Sequence, residues 1–177
     1  MNKWRNPYWW LCAVALSFVC LLSGCASDDD AVPDLVPQRL DLAIKASDKV
    51  NPDIQMKAAP IEIRVYELKN DAAFMAADWW SLQDNDKAVL ADDLIHRDSF
   101  ILRPGEEKKL RRPLNKETTV VGILAGYRNL GKSVWRATYK IPEAPEKTWY
   151  SRMMPGKKVE LDAGIEQSAI VIKERDK

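Results

Sequence analysis

The stretch Val120-Val121-Gly122-Ile123-Leu124-Ala125-Gly126-Tyr127 decides the fold. It is apolar on both faces of an extended chain, which predicts a central strand. Gly122 and Gly126 share one of those faces and leave room for a neighbouring side chain. On either side the pattern is period two. Leu40, Leu42 and Ile44 alternate with Asp41, Ala43 and Lys45, and Ile61, Ile63 and Val65 alternate with Glu62, Arg64 and Tyr66. Phe100 to Leu102 runs into Arg103-Pro104-Gly105-Glu106, where Pro and then Gly suit a type II turn. Leu110 and Leu114 lie on the return strand. Val134 to Ile141, Lys157 to Leu161 and Ser168 to Ile172 complete the set. Seven to eight short strands separated by turn signals predict a mainly β protein, a β-sandwich.

One segment breaks the alternation. Over residues 70–95, Ala72, Met75, Trp79 and Leu82 recur at helical spacing, with Asn70 or Asp71 to cap the start and Asp84-Asn85-Asp86 to interrupt it. This predicts a helical insertion packed on one side or end of the sandwich. Trp79 and Trp80 are adjacent, so only one of them can face a given core.

The chain has 177 residues, 46% hydrophobic and 30% charged, enough for one ordinary domain with a buried core. Its 27 basic and 26 acidic residues lack the excess typical of a nucleic-acid binder. The N-terminus reads as an export signal. Lys3 and Arg5 precede an apolar run from Trp9 to Leu22, too short to span a bilayer core of roughly 30 Å. It ends at Leu22-Ser23-Gly24-Cys25, which resembles the lipobox of bacterial lipoproteins. Residues 1–24 are then a signal peptide and Cys25 the lipidated first residue, carrying diacylglycerol and an N-acyl chain. Cys12 and Cys20 leave with the signal, so the mature chain has no cysteine pair to form a disulfide. Ala26, not Asp, follows the cysteine, which by the sorting rule of enterobacterial lipoproteins implies the outer membrane. Residues 25–38 hold three consecutive Asp and two Pro, a solvated tether. Twelve such residues reach roughly 40 Å. The folded domain is expected over 39–177, facing the periplasm.

Candidate chemistry is sparse. The acidic group Asp84, Asp86, Asp92 and Asp93 lacks the mid-loop Gly and terminal Glu of a calcium loop, and capping and turn formation account for it. His96 has Ser99 nearby but no nucleophile motif around it. One His and no free Cys leave little for a metal site. No enzyme, cofactor or metal is expected. Trp149 and Tyr150 follow Pro142 and Pro145 in a loop and are candidates for exposure. The segment Ser47–Pro60 is a 14-residue connection between successive strands, far longer than a hairpin loop. It carries Val50, Ile54 and Met56, apolar groups that either fold back onto the sandwich or bind a partner.

Taken in order, these residues resemble the TssJ family of type VI secretion lipoproteins, related to VasD. The resemblance rests on the lipobox, Asn51-Pro52-Asp53 before Pro60, IRVYEL (63–68), Phe74 and ADWWSL (77–82). It continues through DNDKAVL (84–90), Asp92-Asp93-Leu94, FILRPGE (100–106), VVGILAGYRNL (120–130) and Trp135-Arg136. It implies a transthyretin-like β-sandwich with a helical addition, at the outer-membrane foot of an envelope-spanning complex. The implied partner is the periplasmic C-terminal domain of a TssM-like inner-membrane protein, with a TssL-like protein an indirect one. In the family the loop between the first two strands is tied to that contact. Carried over, the partner-binding residues are Lys49, Val50, Asn51, Pro52, Asp53, Ile54, Gln55, Met56 and Lys57. Relatives often carry Gly-Arg-Pro-Ser-Pro before the second strand, where this chain has Met56-Lys57-Ala58-Ala59-Pro60, so the loop is expected to be shaped differently. A periplasmic small-ligand carrier, with a pocket between sandwich and helices, is the alternative from another class.

Overall fold

The computed structural model describes residues 36–144 and 157–175. Cys25 and the expected signal segment lie outside the described residues, as do Trp149 and Tyr150. Eight strands are described: β1 (Arg39–Ala46), β2 (Ile61–Leu68), β3 (Leu94–Leu102), β4 (Glu107–Pro113), β5 (Val120–Ala125), β6 (Arg136–Lys140), β7 (Lys158–Ile165) and β8 (Ile170–Glu174). Helices α1 (Ala72–Ala76) and α2 (Trp79–Leu90) stand between β2 and β3. The strands form two four-stranded sheets, in the orders β4-β1-β7-β8 and β3-β2-β5-β6. β1 and β7 run parallel, and the other pairs are antiparallel.

The two-residue period sorts side chains between layers. Leu40, Leu42 and Ile44 of β1 meet Ile61, Ile63 and Val65 of β2 and Val121, Ile123 and Ala125 of β5 in the sandwich core. The other faces of β2 and β5, carrying Tyr66, Leu68, Val120 and Leu124, are covered by Phe74, Leu82 and Leu90 from the helical segment. The 120–127 stretch is apolar on both faces because both are buried. Gly122 supplies the close approach. A Cβ there would lie 3.2 Å from Phe74 Cε1.

The helical segment is held by polar groups as well. Asn70 Oδ1 accepts from the Ala72 N–H at 2.8 Å, and Asp78 Oδ1 from the Ser81 N–H at 3.0 Å. Asn85, at φ −147° and ψ 46°, breaks α2 at the predicted Asp-Asn-Asp run. Two sheet arginines satisfy carbonyls left open by these helix ends. Arg64 donates to Leu82 O and Gln83 O at 3.1 and 3.0 Å, and Arg136 to Phe74 O at 3.0 Å and to Ala77 O. Trp79 packs inward against Trp135, ring centroids 5.4 Å apart at 89°, while Trp80 is 67% exposed.

The expected helical span to residue 95 needs correction. A short 3-10 turn closes at Asp93, and Leu94 and Ile95 already belong to β3, which pairs with β2 along its length down to Leu68↔Leu94. Hydrogen-bonding demand from a buried neighbour overrides local helical spacing here. β3 is therefore much longer than Phe100–Leu102.

Both open edges of the sandwich are pinned. β3 passes to β4, and so to the other sheet, through a turn in which Gly105 takes φ +78° and Glu106 N–H donates to Arg103 O at 3.0 Å. Above that turn, Arg112 of β4 points inward and joins Glu67 of β2 at 2.5 Å and Asp98 of β3. Thr118 Oγ1 donates to the second Glu67 oxygen at 3.2 Å. On the far edge Val134 exchanges hydrogen bonds with Ser168 O and the Ile170 N–H, at 2.9 and 3.2 Å.

Two outcomes are expected. Gly122→Val would push against the Phe74 ring and cost about 1–3 kcal/mol by overpacking, read from urea denaturation. Burial alone would raise the Asp98 carboxyl, but the Arg112 hydrogen bond and charge, with His96 beside it, hold it below its ordinary value. A carboxylate lowered in the folded state contributes stability above its unfolded pKa, and that contribution is lost as pH falls through the folded value. Arg112→Met should therefore flatten the acid limb of a stability-versus-pH curve below about pH 4.

Candidate functional site

The connection over residues 47–60 links the end of β1 in one sheet to the start of β2 in the other. It crosses the end of the sandwich rather than closing a hairpin, which explains part of its length. Its base is built into the fold. Val50 is fully buried, Ala59 N–H donates to Val50 O at 3.1 Å, and Ser47 N–H to Ile165 O at 2.8 Å. Asn51 is the staple. It is 4% exposed and holds φ +49°, a left-handed conformation that Asn tolerates better than most residues. Its side-chain amide donates to Pro60 O at 3.0 Å, and its Oδ1 accepts from the Arg128 N–H at 2.8 Å. Its own N–H donates to Gln167 O at 3.2 Å.

The tip is closed by Asp53. Its Oδ1 accepts from the Gln55 and Lys57 N–H groups at 2.8 and 2.9 Å, and its backbone pairs with Lys57 and Met56. The Lys57 hydrogen bond, helped by that of Gln55 and the charges of Arg128 and Lys57, holds the carboxyl below its ordinary value. On this frame Ile54 is 100% exposed and Met56 68%. The nine residues carried over from the family thus divide. Val50 and Asn51 are buried supports, and Pro52 and Asp53 are half-buried. Lys49, Ile54, Gln55, Met56 and Lys57 face solvent. The fold-back reading holds for Val50 alone, since Ile54 and Met56 stand in solvent.

Beside the loop opens a cleft of about 300 Å³, walled on one side by Pro52, Asp53 and Met56. The opposite wall is made by Tyr127, Asn129 and Lys132, and by Gln167 and Ser168 from the β7–β8 turn. Nothing in the local sequence marks these residues, because three distant segments supply them.

The other candidates resolve as structure. Asp86 is buried and accepts from Tyr66 Oη at 3.0 Å and Arg97 Nη1 at 2.6 Å, anchoring α2 to the sheet. Among the described residues no group of three or more His, Cys, Asp or Glu side chains could hold a metal ion. His96 and Ser99 occupy opposite faces of β3. His96 Nε2 lies 3.5 Å from Asp98, whereas Ser99 Oγ donates to Glu62 at 3.2 Å.

An eight-stranded sandwich with a helical layer and an apolar-tipped loop across one end defines the class, and comparison shows it to be that of the type VI secretion lipoproteins. Residues 38–168 match the T6SS-SciN family profile, which covers VasD, EvfM and TssJ. The chain belongs to this family. The crystal structure of the lipoprotein TssJ1 from Pseudomonas aeruginosa is 35% identical, with a TM-score of 0.69 over 80% of this chain and 98% of that one. Lip from Serratia marcescens, a membrane-bound component of the type VI secretion system, is 33% identical, with a TM-score of 0.69 over 77% and 97%. A chain of a type VI membrane complex, 23% identical with a TM-score of 0.62 over 76% and 97%, shares the fold. A search of curated proteins finds no match. The transthyretin-like β-sandwich expected from the resemblance is the fold observed.

Asn51→Ala is expected to cost about 2–3 kcal/mol, from two lost side-chain hydrogen bonds and a strained φ. Ile54→Asp should leave the denaturation midpoint unchanged, since the side chain touches nothing that it could lose. Chemical denaturation of both variants checks the division between support and tip.

Proposed function

We propose that this chain anchors the trans-envelope membrane complex of a type VI secretion system to the outer membrane. Acyl chains on Cys25 hold one end in the lipid, and the sandwich faces the periplasm on its tether. The loop grips the periplasmic C-terminal domain of a TssM-like inner-membrane protein, which in turn engages a TssL-like one. The role is mechanical rather than catalytic. Two or three acyl chains, at about 0.8 kcal/mol per buried CH₂, make the attachment durable.

The observation that carries this reading is the fully exposed Ile54 on a loop held rigid from both sides. A flexible loop would lose ordering entropy on binding, and a pinned one has already lost it on folding. Exposed apolar side chains on such a frame resemble the anchors that dominate protein interfaces. The ligand-carrier alternative requires space between sheet and helices, where Phe74, Leu82 and Leu90 are buried almost completely.

Calorimetry of the mature lipoprotein in detergent against that periplasmic domain tests the reading. Ile54→Asp combined with Met56→Asp should weaken binding at least tenfold with the denaturation midpoint retained. Wild-type affinity in the double variant would remove the loop from the interface, and no binding by the wild type would remove the partner. Cys25→Ser should shift the protein from the outer-membrane to the soluble periplasmic fraction.

A further inference from the structure

The cleft beside the loop carries chemistry that the loop alone does not. The side chains of Asn129, Lys132, Gln167 and Ser168 line it, and none has a hydrogen-bond or ion-pair partner among the described residues. They offer an ammonium, two carboxamides and a hydroxyl, all able to donate. The apolar part of the wall is Pro52, Met56 and the ring of Tyr127. That ring is fixed, because its hydroxyl lies 2.8 and 3.1 Å from the Ala169 and Glu166 carbonyls and donates there. The one carboxylate in the lining, Asp53, already has Oδ1 occupied by two loop N–H groups. Arg128, whose N–H donates to Asn51, adds a second exposed cation at the same end, and Lys57 a third.

We infer that this cleft receives an acidic side chain and an adjoining apolar one from the protein partner, with Lys132 supplying the countercharge. The argument is one of complementarity. Unpartnered donors around an ammonium match a carboxylate, whose oxygens accept only. The Tyr127, Pro52 and Met56 wall matches the neighbouring apolar group. About 300 Å³ is at the lower end of the range for ligand sites and suits one or two side chains better than a free organic molecule. A charge at the rim of an interface sets approach and register as well as affinity. The inference rests on the reading that the loop end faces the TssM-like protein, and it adds Tyr127, Asn129, Lys132, Gln167 and Ser168 to that surface.

The test uses the mature lipoprotein in detergent and the same periplasmic domain, with Lys132→Glu, Lys140→Glu and the Ile54/Met56 double variant side by side. Lys140 is exposed on β6 at the opposite end of the sandwich, paired with Val120, so its reversal changes net charge equally but away from the cleft. Lys132→Glu should weaken binding about tenfold and Lys140→Glu less than twofold, with denaturation midpoints unchanged. An Asp or Glu to Lys change in the partner should then restore affinity to Lys132→Glu while impairing binding to the wild type. Equal losses in both charge reversals would overturn the inference in favour of general electrostatics. Unchanged affinity in Lys132→Glu, with binding lost in the Ile54/Met56 variant, would overturn it while leaving the loop as the site. Failure of the wild type to bind would overturn both.

Discussion

The structure depends on one constraint: β5 is apolar on both faces and, with Tyr66 and Leu68 of β2 beside it, the sheet must be covered on both. The opposing sheet covers one face. For the other the chain supplies α1 and α2, inserted between the second and third strands, where they can fold back over the sheet they have just left. Antiparallel sheets commonly leave one face to water. Here that option is closed, because Tyr66, Leu68, Val120 and Leu124 would be exposed with it. Gly122 belongs to the same solution, since its missing side chain is the space that Phe74 fills.

Buried and half-buried charges tie the layers to one another. Arg112 joins one sheet to the other through Glu67 and Asp98, Arg64 and Arg136 hold helix carbonyls, and Asp86 gathers Tyr66 and Arg97. Ion pairs removed from water contribute little net stability compared with well-packed apolar contacts, but losing one partner is costly. An inward-pointing charge on the edge strand β4 also discourages pairing with other chains.

The loop shows how a buried support and an exposed tip share a short segment. Val50 and Asn51 belong to the fold, and Ile54 and Met56 stand three to six residues away, fully or largely in solvent. Composition alone does not separate them, for all three apolar residues look alike in sequence. What separates them is where the chain crosses the end of the sandwich, with Asn51 bonded to Pro60, Arg128 and Gln167.

Local pattern was sufficient for every strand but β3, for the type II turn at Gly105, the break at Asn85, the division between Trp79 and Trp80, and the loop as a feature out of proportion to a hairpin. Each of these depends on residues within a few positions of one another. The true start of β3 at Leu94 was not legible, because it is decided by pairing with Leu68, 26 positions away. Nor was the cleft, whose walls come from segments near residues 52, 130 and 167. Periodicity and turn chemistry are short-range properties of a chain and can be read along it. Which side of each layer is covered, which charges meet, and which polar groups are left without partners are settled only when distant segments pack against one another.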